Sequence, residues 1–519
     1  MRNVRFRPRG RAGAAALAAL VVLAVWAAAA PPASAQSLAE FEKKVTVHRL
    51  ANGWTFLIVE RPVAPVFTFA TYADVGSCQE VLGVTGMAHM FEHMAFKGTD
   101  VIGTKDYKAE KVILDKIEAA YAAYDAERRR KDADAAKAKD LEKAWKDLQE
   151  EAEKYIAKSE FDDILDREGG VGLNAGTGKD STVYFYSLPA NKLELWAYLE
   201  SERFAKPVFR QFYKERDVVK EERRMRTESQ PIGRLFEQFL GAAFIGHPYG
   251  VPNVGYMSDL DSFSATDALA FFRKYYVPSN LTTVLVGDVK APEAIKVIEK
   301  YFGRIPKGEQ PASLRTVEPP QNSERTVRLI DPSQPVYAEG YHRPSGLDPD
   351  NEAYEALATI LGDGRTSRLY RSLVRDKQIA AAAQAIPSLP GDKYPSLFTI
   401  FGMAAKGHTN EEVRDAIRAE IEKIKTEEVS DAELAMVKAR AKADLVRNLA
   451  TNQGLAFSMS QYQALSGDWR ELFRSVERLD KVTKADVQRV AKAIFVETNR
   501  TVGYIETASS ASKAAPAGE

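Results

Sequence analysis

Residues 86 to 99 read GMAHMFEHMAFKGT, and within this run His89 and His93 stand four apart with Glu92 beside the second. On a helix, positions four apart share a face, so both imidazoles project together and can offer neutral ring nitrogens to one metal ion. An ionised carboxylate at Glu92 is acceptor-only, placed to take a proton from water as that water attacks a carbonyl. The order H-x-x-E-H is the reverse of H-E-x-x-H, in which two histidines and a general base sit on one zinc-binding helix. The chain has one cysteine, Cys78, so a cysteine-built metal site is excluded, and so is an internal disulfide.

Two histidines are too few for a catalytic zinc ion, which ordinarily takes three protein ligands and keeps one open position. The best source of a third is ERDVVKEE at 215 to 222, where Glu215 and Glu222 lie seven apart and so on one helical face. Glu222 is the candidate ligand, and Glu215 is the candidate hydrogen-bond partner of a ligand histidine. By spacing alone, a solvated charged helix face accounts for the same pattern.

The elements that must carry these groups follow from periodicity. Val45 to Leu50, Trp54 to Glu60 and Val66 to Val75 read as strands, with Asn52-Gly53 as the turn between the first two. Helical and strand-like segments alternate to about Arg304. A proline-rich stretch at 305–325 then reads as a linker, and the same order resumes from Thr326 to about residue 507. Leu260 to Asp288 aligns without gaps on Leu479 to Thr507, pairing Asp267 with Asp486, Asn280 with Asn499 and Thr282 with Thr501. Each copy reads as an amphipathic helix, a turn and an apolar strand, which points to duplication. Residues 105–165 break the regularity. They are charged and almost free of Gly and Pro, with Val112, Ile113, Ile117, Tyr121 and Trp145 at helical spacing, and they read as a helical hairpin turning near Lys131 to Ala138.

The remaining 1–35 and 508–519 differ from the body of the chain. Five arginines precede an Ala-rich apolar run, and Ala33-Ser34-Ala35 follows, so 1–35 reads as a secretory signal peptide and the protein as exported, periplasmic or secreted. No later run is long and apolar enough to span a bilayer, so no membrane span is expected after cleavage. The small-residue end at 508–519 reads as a disordered tail. With Lys+Arg 72 against Asp+Glu 72, the formal net charge is +0, and a global electrostatic attraction to nucleic acid is excluded.

On GMAHMFEHMAFKGT at 86 to 99, LNAGTGKDSTVYFYSLP at 173 to 189 and ERDVVKEE at 215 to 222, in that order, the chain resembles the pitrilysin/insulinase-type zinc peptidases, which include the mitochondrial processing peptidase. The resemblance covers nearly the whole chain after the leader. It implies one Zn2+ per chain held by His89, His93 and Glu222, with Glu92 as general base and Glu215 supporting the site from behind. It also implies that Asn174 and Ala175 lie on an edge strand that pairs with peptide substrate. The fold to be expected is α+β, two related domains at 40–304 and 326–507, each a mostly antiparallel sheet packed against helices, with 105–165 inserted in the first.

Two departures qualify the resemblance. Glu222 follows His93 by 129 residues, a longer interval than the family's, and 105–165 accounts for the excess as an addition to the surface that leaves the site alone but is able to alter access to it. The family's second-half arginine and tyrosine, which reach the substrate at the metal, fall on Val374 and Ala381 here, with Arg375 one residue out of register. Ala356 to Leu361 stands where a second metal helix would fall, so only the first half carries metal chemistry. The chain therefore reads as the zinc-bearing endopeptidase subunit of a hetero-oligomer whose related, metal-free partner supplies the arginine and tyrosine, or as a homodimer. A non-catalytic binding or assembly subunit of the same fold is the alternative.

Overall fold

Strands β2 (Thr55–Glu60) and β3 (Val66–Ala73) form where apolar and β-branched residues are dense. Both are buried along nearly their whole length, so each face of their sheet must be covered. The computed structural model describes residues 38–508. The expected signal peptide at 1–35 lies outside the described residues, as does the expected tail from 509 onward.

The first sheet has the order β1-β2-β6-β3-β5-β4, adding β1 (Val45–Arg49), β4 (Val171–Thr177), β5 (Thr182–Pro189) and β6 (Leu281–Gly287). The second has the order β7-β11-β8-β10-β9, from β7 (Arg325–Asp331), β8 (Val336–Arg343), β9 (Ala380–Leu389), β10 (Ser396–Ala404) and β11 (Arg500–Thr507). Directions correspond as well as order. β2 runs parallel to β6 as β7 does to β11, and the remaining pairs across β6-β3-β5-β4 and β11-β8-β10-β9 are antiparallel. The protein is thus α+β, built from two related halves.

The duplication extends to single side chains. Asn280 Nδ2 donates to Tyr275 O and Asp74 O, each at 3.0 Å, and Asn499 Nδ2 donates to Ile494 O at 3.2 Å and His342 O at 2.8 Å. Ser264 with Asp267, and Thr483 with Asp486, form matching capping boxes at the starts of the preceding helices.

Nine helices place the site and join the halves: α1 (Met87–Met94), α2 (Tyr107–Arg128), α3 (Ala135–Ala152), α4 (Glu160–Arg167), α5 (Phe212–Arg223), α6 (Pro231–Ala243), α7 (Asn351–Gly362), α8 (Asp431–Ala450) and α9 (Asn452–Ser466). The halves exchange a helix each: α6 packs on β7 and β11, and α9 on β3 and β6. This exchange buries the second face of β3. Gly340 in β8 is required by it, because a Cβ there would come within 2.7 Å of the Phe239 ring on α6.

The hairpin forms as α2 and α3, turning between residues 129 and 134. Ile113, Ile117, Tyr121 and Trp145 are buried as their spacing predicts, whereas Val112 is left 53% exposed on the outer face. Residues 306–322 contain no helix or strand, and Glu318 there accepts from the amides of Ile245, Gly246 and His247.

Candidate active site

Helix α1 is seated by its apolar side: Met87, Ala88, Met90, Phe91 and Met94 are buried, and the Phe91 ring packs on Phe272 and Tyr276 with centroids 4.9 and 4.1 Å apart. Its first turn is held by Glu80, which accepts from Gly86 N and Ala88 N at 2.7 Å each and so satisfies amides that no helical carbonyl reaches. Gly86 has φ +91°, and a Cβ at that position would lie 2.3 Å from Val254 O, so the turn into the helix needs glycine. The opposite side of α1 presents His89, Glu92 and His93.

Helix α5 brings Glu215 and Glu222 to the same place. His89 Nε2 lies 3.6 Å from Glu222 Oε1, and His93 Nε2 lies 3.4 Å from Glu222 Oε2. Ligand atoms of the three residues all fall within 4.8 Å of one another. These separations are long for hydrogen bonds but close to the edge of a tetrahedron around zinc, about 3.4 Å for bonds of about 2.0–2.2 Å. Two imidazole nitrogens and one carboxylate oxygen are a donor set that fits zinc.

Protonation is arranged to match. His93 Nδ1 is 3.3 Å from Glu215 Oε2, and since a carboxylate only accepts, that nitrogen carries the hydrogen, which in the neutral ring leaves the lone pair on Nε2. Glu215 Oε1 in turn pairs with Lys97 Nζ at 2.5 Å. Burial, reinforced by His93 and Arg226, pushes His89 down to about 3, which keeps it neutral. Burial tends to lower His93 too, but Glu215, Glu222 and Glu92 outweigh it and raise its pKa. Glu92 is raised by burial against the opposing hydrogen bond from Thr177, and its Oε2 is buried without a partner. Glu215 is held below its usual range by His93 and Lys97, although burial opposes this.

A cavity of about 520 Å³ opens beside Glu92 and His93. Its walls include Asn174 and Ala175 on β4, which ends the first sheet and presents a free backbone edge. All seven residues singled out from the sequence thus lie at or around one centre: His89, Glu92, His93, Asn174, Ala175, Glu215 and Glu222. Val374 and Ala381 do not join them; among the described residues the cavity is lined only by those of the first half, and Arg375 turns to its neighbour Asp376 at 2.6 Å.

The inserted segment corrects the reading of it as a surface addition apart from the site. Residues 156–162, within the insertion, line the cavity itself, and Glu110 on α2 grips Arg210 at the foot of α5. Sequence reasoning also passed over Lys97, Glu80 and Arg226, which pairs with Glu222 Oε1 at 2.6 Å. Helical spacing carried a signal for two of them, since Lys97 follows His93 by four and Arg226 follows Glu222 by four.

The chain is similar to known proteins along most of its length. The family described as "Insulinase (Peptidase family M16)" matches residues 55–131, and "Peptidase M16 inactive domain" matches residues 262–441. Zinc protease PqqE of Helicobacter pylori is 29% identical over 443 residues, 83% of this chain and 86% of that protein. The uncharacterized zinc protease YmxG of Bacillus subtilis is 22% identical over 451 residues, 86% of this chain and 94% of that protein. The crystal structure of a protease from Helicobacter pylori superposes with TM-score 0.75 at 27% identity, covering 89% of this chain and 99% of that one. A peptidase M16 inactive domain from Pseudomonas fluorescens shares the fold, with TM-score 0.68 at 17% identity over 90% of this chain and 98% of that one. Motif, fold and relatives converge on the insulinase-type peptidase family M16, whose domains match both halves of the chain.

Proposed function

We propose that the chain is a zinc-dependent endopeptidase for peptides or unfolded polypeptides, with His89, His93 and Glu222 as metal ligands and Glu92 as general base. The observation that carries this reading is the convergence of two imidazole nitrogens on both oxygens of Glu222, at 3.6 and 3.4 Å, beside the unpartnered Oε2 of Glu92. A zinc ion bound there supplies Lewis acidity toward the scissile carbonyl and the attacking water.

The protein residues do the rest. Glu215 fixes the tautomer and ring orientation of His93. Glu92, whose pKa burial has raised, takes the proton of the attacking water and returns it to the leaving amine, so no covalent intermediate is needed. The edge of β4 at Asn174 and Ala175 pairs with an extended peptide backbone and lays the scissile bond across the site.

Glu92→Gln tests this. Zinc content and peptide affinity should persist while turnover falls by about 10²–10⁴. Unchanged hydrolysis refutes the mechanism, and a wild-type chain that binds peptide but never cleaves it, with or without a partner, favours the assembly-subunit alternative.

The finer organisation is proposed on the same footing. Residues 40–304 form the zinc-bearing domain and 326–507 its metal-free counterpart, joined by the 305–325 segment. Val374 and Ala381, lacking the polar groups expected there, support an oligomer in which a related metal-free subunit, or a second copy of this chain, supplies an arginine and a tyrosine. Export to the periplasm or beyond rests on the leader at 1–35; among the described residues no helix is long and apolar enough to cross a membrane.

A further inference from the structure

A second cavity, of about 920 Å³, lies against the inserted hairpin, between α2, α3 and the segment leading into α5. It adjoins the first: Ile156, Lys158, Arg210, Gln211 and Lys214 line both. Beside the fixed Arg210, part of the divide between them is side chain. Glu153 gathers it, accepting from Gln211 Nε2 at 2.6 Å and pairing with Lys214 Nζ at 3.5 Å and Lys158 Nζ at 3.8 Å. The two lysine side chains are 64% and 74% exposed, so these long groups can swing aside at little cost. Beyond the divide the walls include half-buried Leu114, Phe209 and Leu269, with Lys111, Lys146 and Arg273 among the charged groups lining the same space. An apolar interior with polar groups around it, in the volume range of binding clefts, suits a side chain carried on an extended backbone.

The occupant follows from position. The candidate site's cavity runs along the free edge of β4 and meets the second cavity at Gln211, so a peptide too long for the first has this space open beside it. We propose that the inserted hairpin is a substrate-binding element, and that the second cavity receives the part of an unfolded peptide that lies beyond the residues at the metal centre, seating an apolar side chain over Leu114, Phe209 and Leu269. This rests on the peptidase reading and deepens it: the insertion selects long, unfolded substrates carrying an apolar residue at a set distance from the scissile bond. Mixed charge around the cavity leaves the apolar contact to set the preference.

The test uses the full chain carrying Glu92→Gln, loaded with zinc, and fluorescent peptides that share one cleavage sequence but are extended stepwise at either end. Affinity should rise about tenfold, or about 1.4 kcal/mol, when the extension reaches the second cavity with an apolar residue, and stay flat with glycine there. A photoreactive group at that position should label residues of α2 or α3. Adding Gln149→Trp, which puts bulk into the cavity from α3, should bring the long peptides back to the affinity of the shortest; Leu114→Ser serves the same end by removing the apolar floor. Length-independent affinity, or cross-links confined to residues outside 105–165, overturns the proposal. Failure of even the shortest peptide to bind zinc-loaded protein, with or without a partner subunit, instead overturns the peptidase reading on which it rests.

Discussion

The guanidinium of Arg210 forks onto the carboxylate of Glu110, Nε to Oε1 at 2.8 Å and Nη2 to Oε2 at 3.1 Å, with both side chains almost wholly withdrawn from solvent. The remaining donors of Arg210 go to Lys97 O, Thr99 O and Ile102 O, so one residue ties the inserted hairpin, the loop after α1 and the foot of α5 together. The site is therefore positioned partly by the segment that interrupts it.

Removing one member of a buried ion pair leaves the other charged and unpaired, at a cost of about 3–5 kcal/mol. Glu110→Ala should lower the unfolding free energy by about that amount in denaturant titration, and should weaken zinc binding because Lys97 and α5 lose their common anchor. A change below about 1 kcal/mol would show that water replaces the carboxylate at Arg210.

Glu215→Gln keeps the shape of the group behind His93 but removes its charge. Carboxylates in that position typically account for about 10–100-fold in metal affinity, and a loss of that size is expected in a competition titration with a chromophoric chelator. Equal affinity in the variant would mean that a neutral acceptor holds His93 as well as the carboxylate does.

Stripping zinc with a chelator should abolish hydrolysis and leave the fold in place, since both cores are built from apolar side chains and the apolar side of α1 is packed into the first of them independently of the three ligands. Far-UV circular dichroism should be unchanged and activity should return on adding zinc. Unfolding of the stripped protein would reveal the ion as a folding element.

Acid sensitivity should have a definable component in the second half. Glu433 is held down to about 2, for although burial opposes it, the Arg368 fork at 2.8 and 3.0 Å and the Ser430 amide and hydroxyl stabilise the anion. A depressed carboxylate contributes stability above its unfolded pKa and loses it as pH falls from about 4.5 toward 2. Glu433→Gln should thus be less stable than the parent at pH 7 and show a shallower decline across that window; parallel stability curves would refute the assignment.

Phe239→Ala tests the exchanged helix. The ring is fully buried where α6 meets Gly340 and Gly503 of the second sheet, so its loss should cost about 3–5 kcal/mol. Leaving stability intact would mean that α6 is not needed to hold the halves together.

Whatever depends on near neighbours in the chain was legible from sequence. The spacing of His89 and His93 set both on one helical face, the apolar rhythm marked the first three strands and the hairpin, and the Leu260 to Asp288 repeat announced a duplicated fold down to the paired asparagines. These signals survive because helix and strand periods are properties of a few consecutive residues. Only the tertiary structure decided which distant groups meet. Glu222 reaches the histidines from 129 residues away because α5 is wedged against α1 and the hairpin, α6 and α9 cross to the opposite sheets, and the insertion turns inward to line the cavity. Each of these depends on apolar faces finding partners far along the chain, and local patterning marks such a face without naming what covers it.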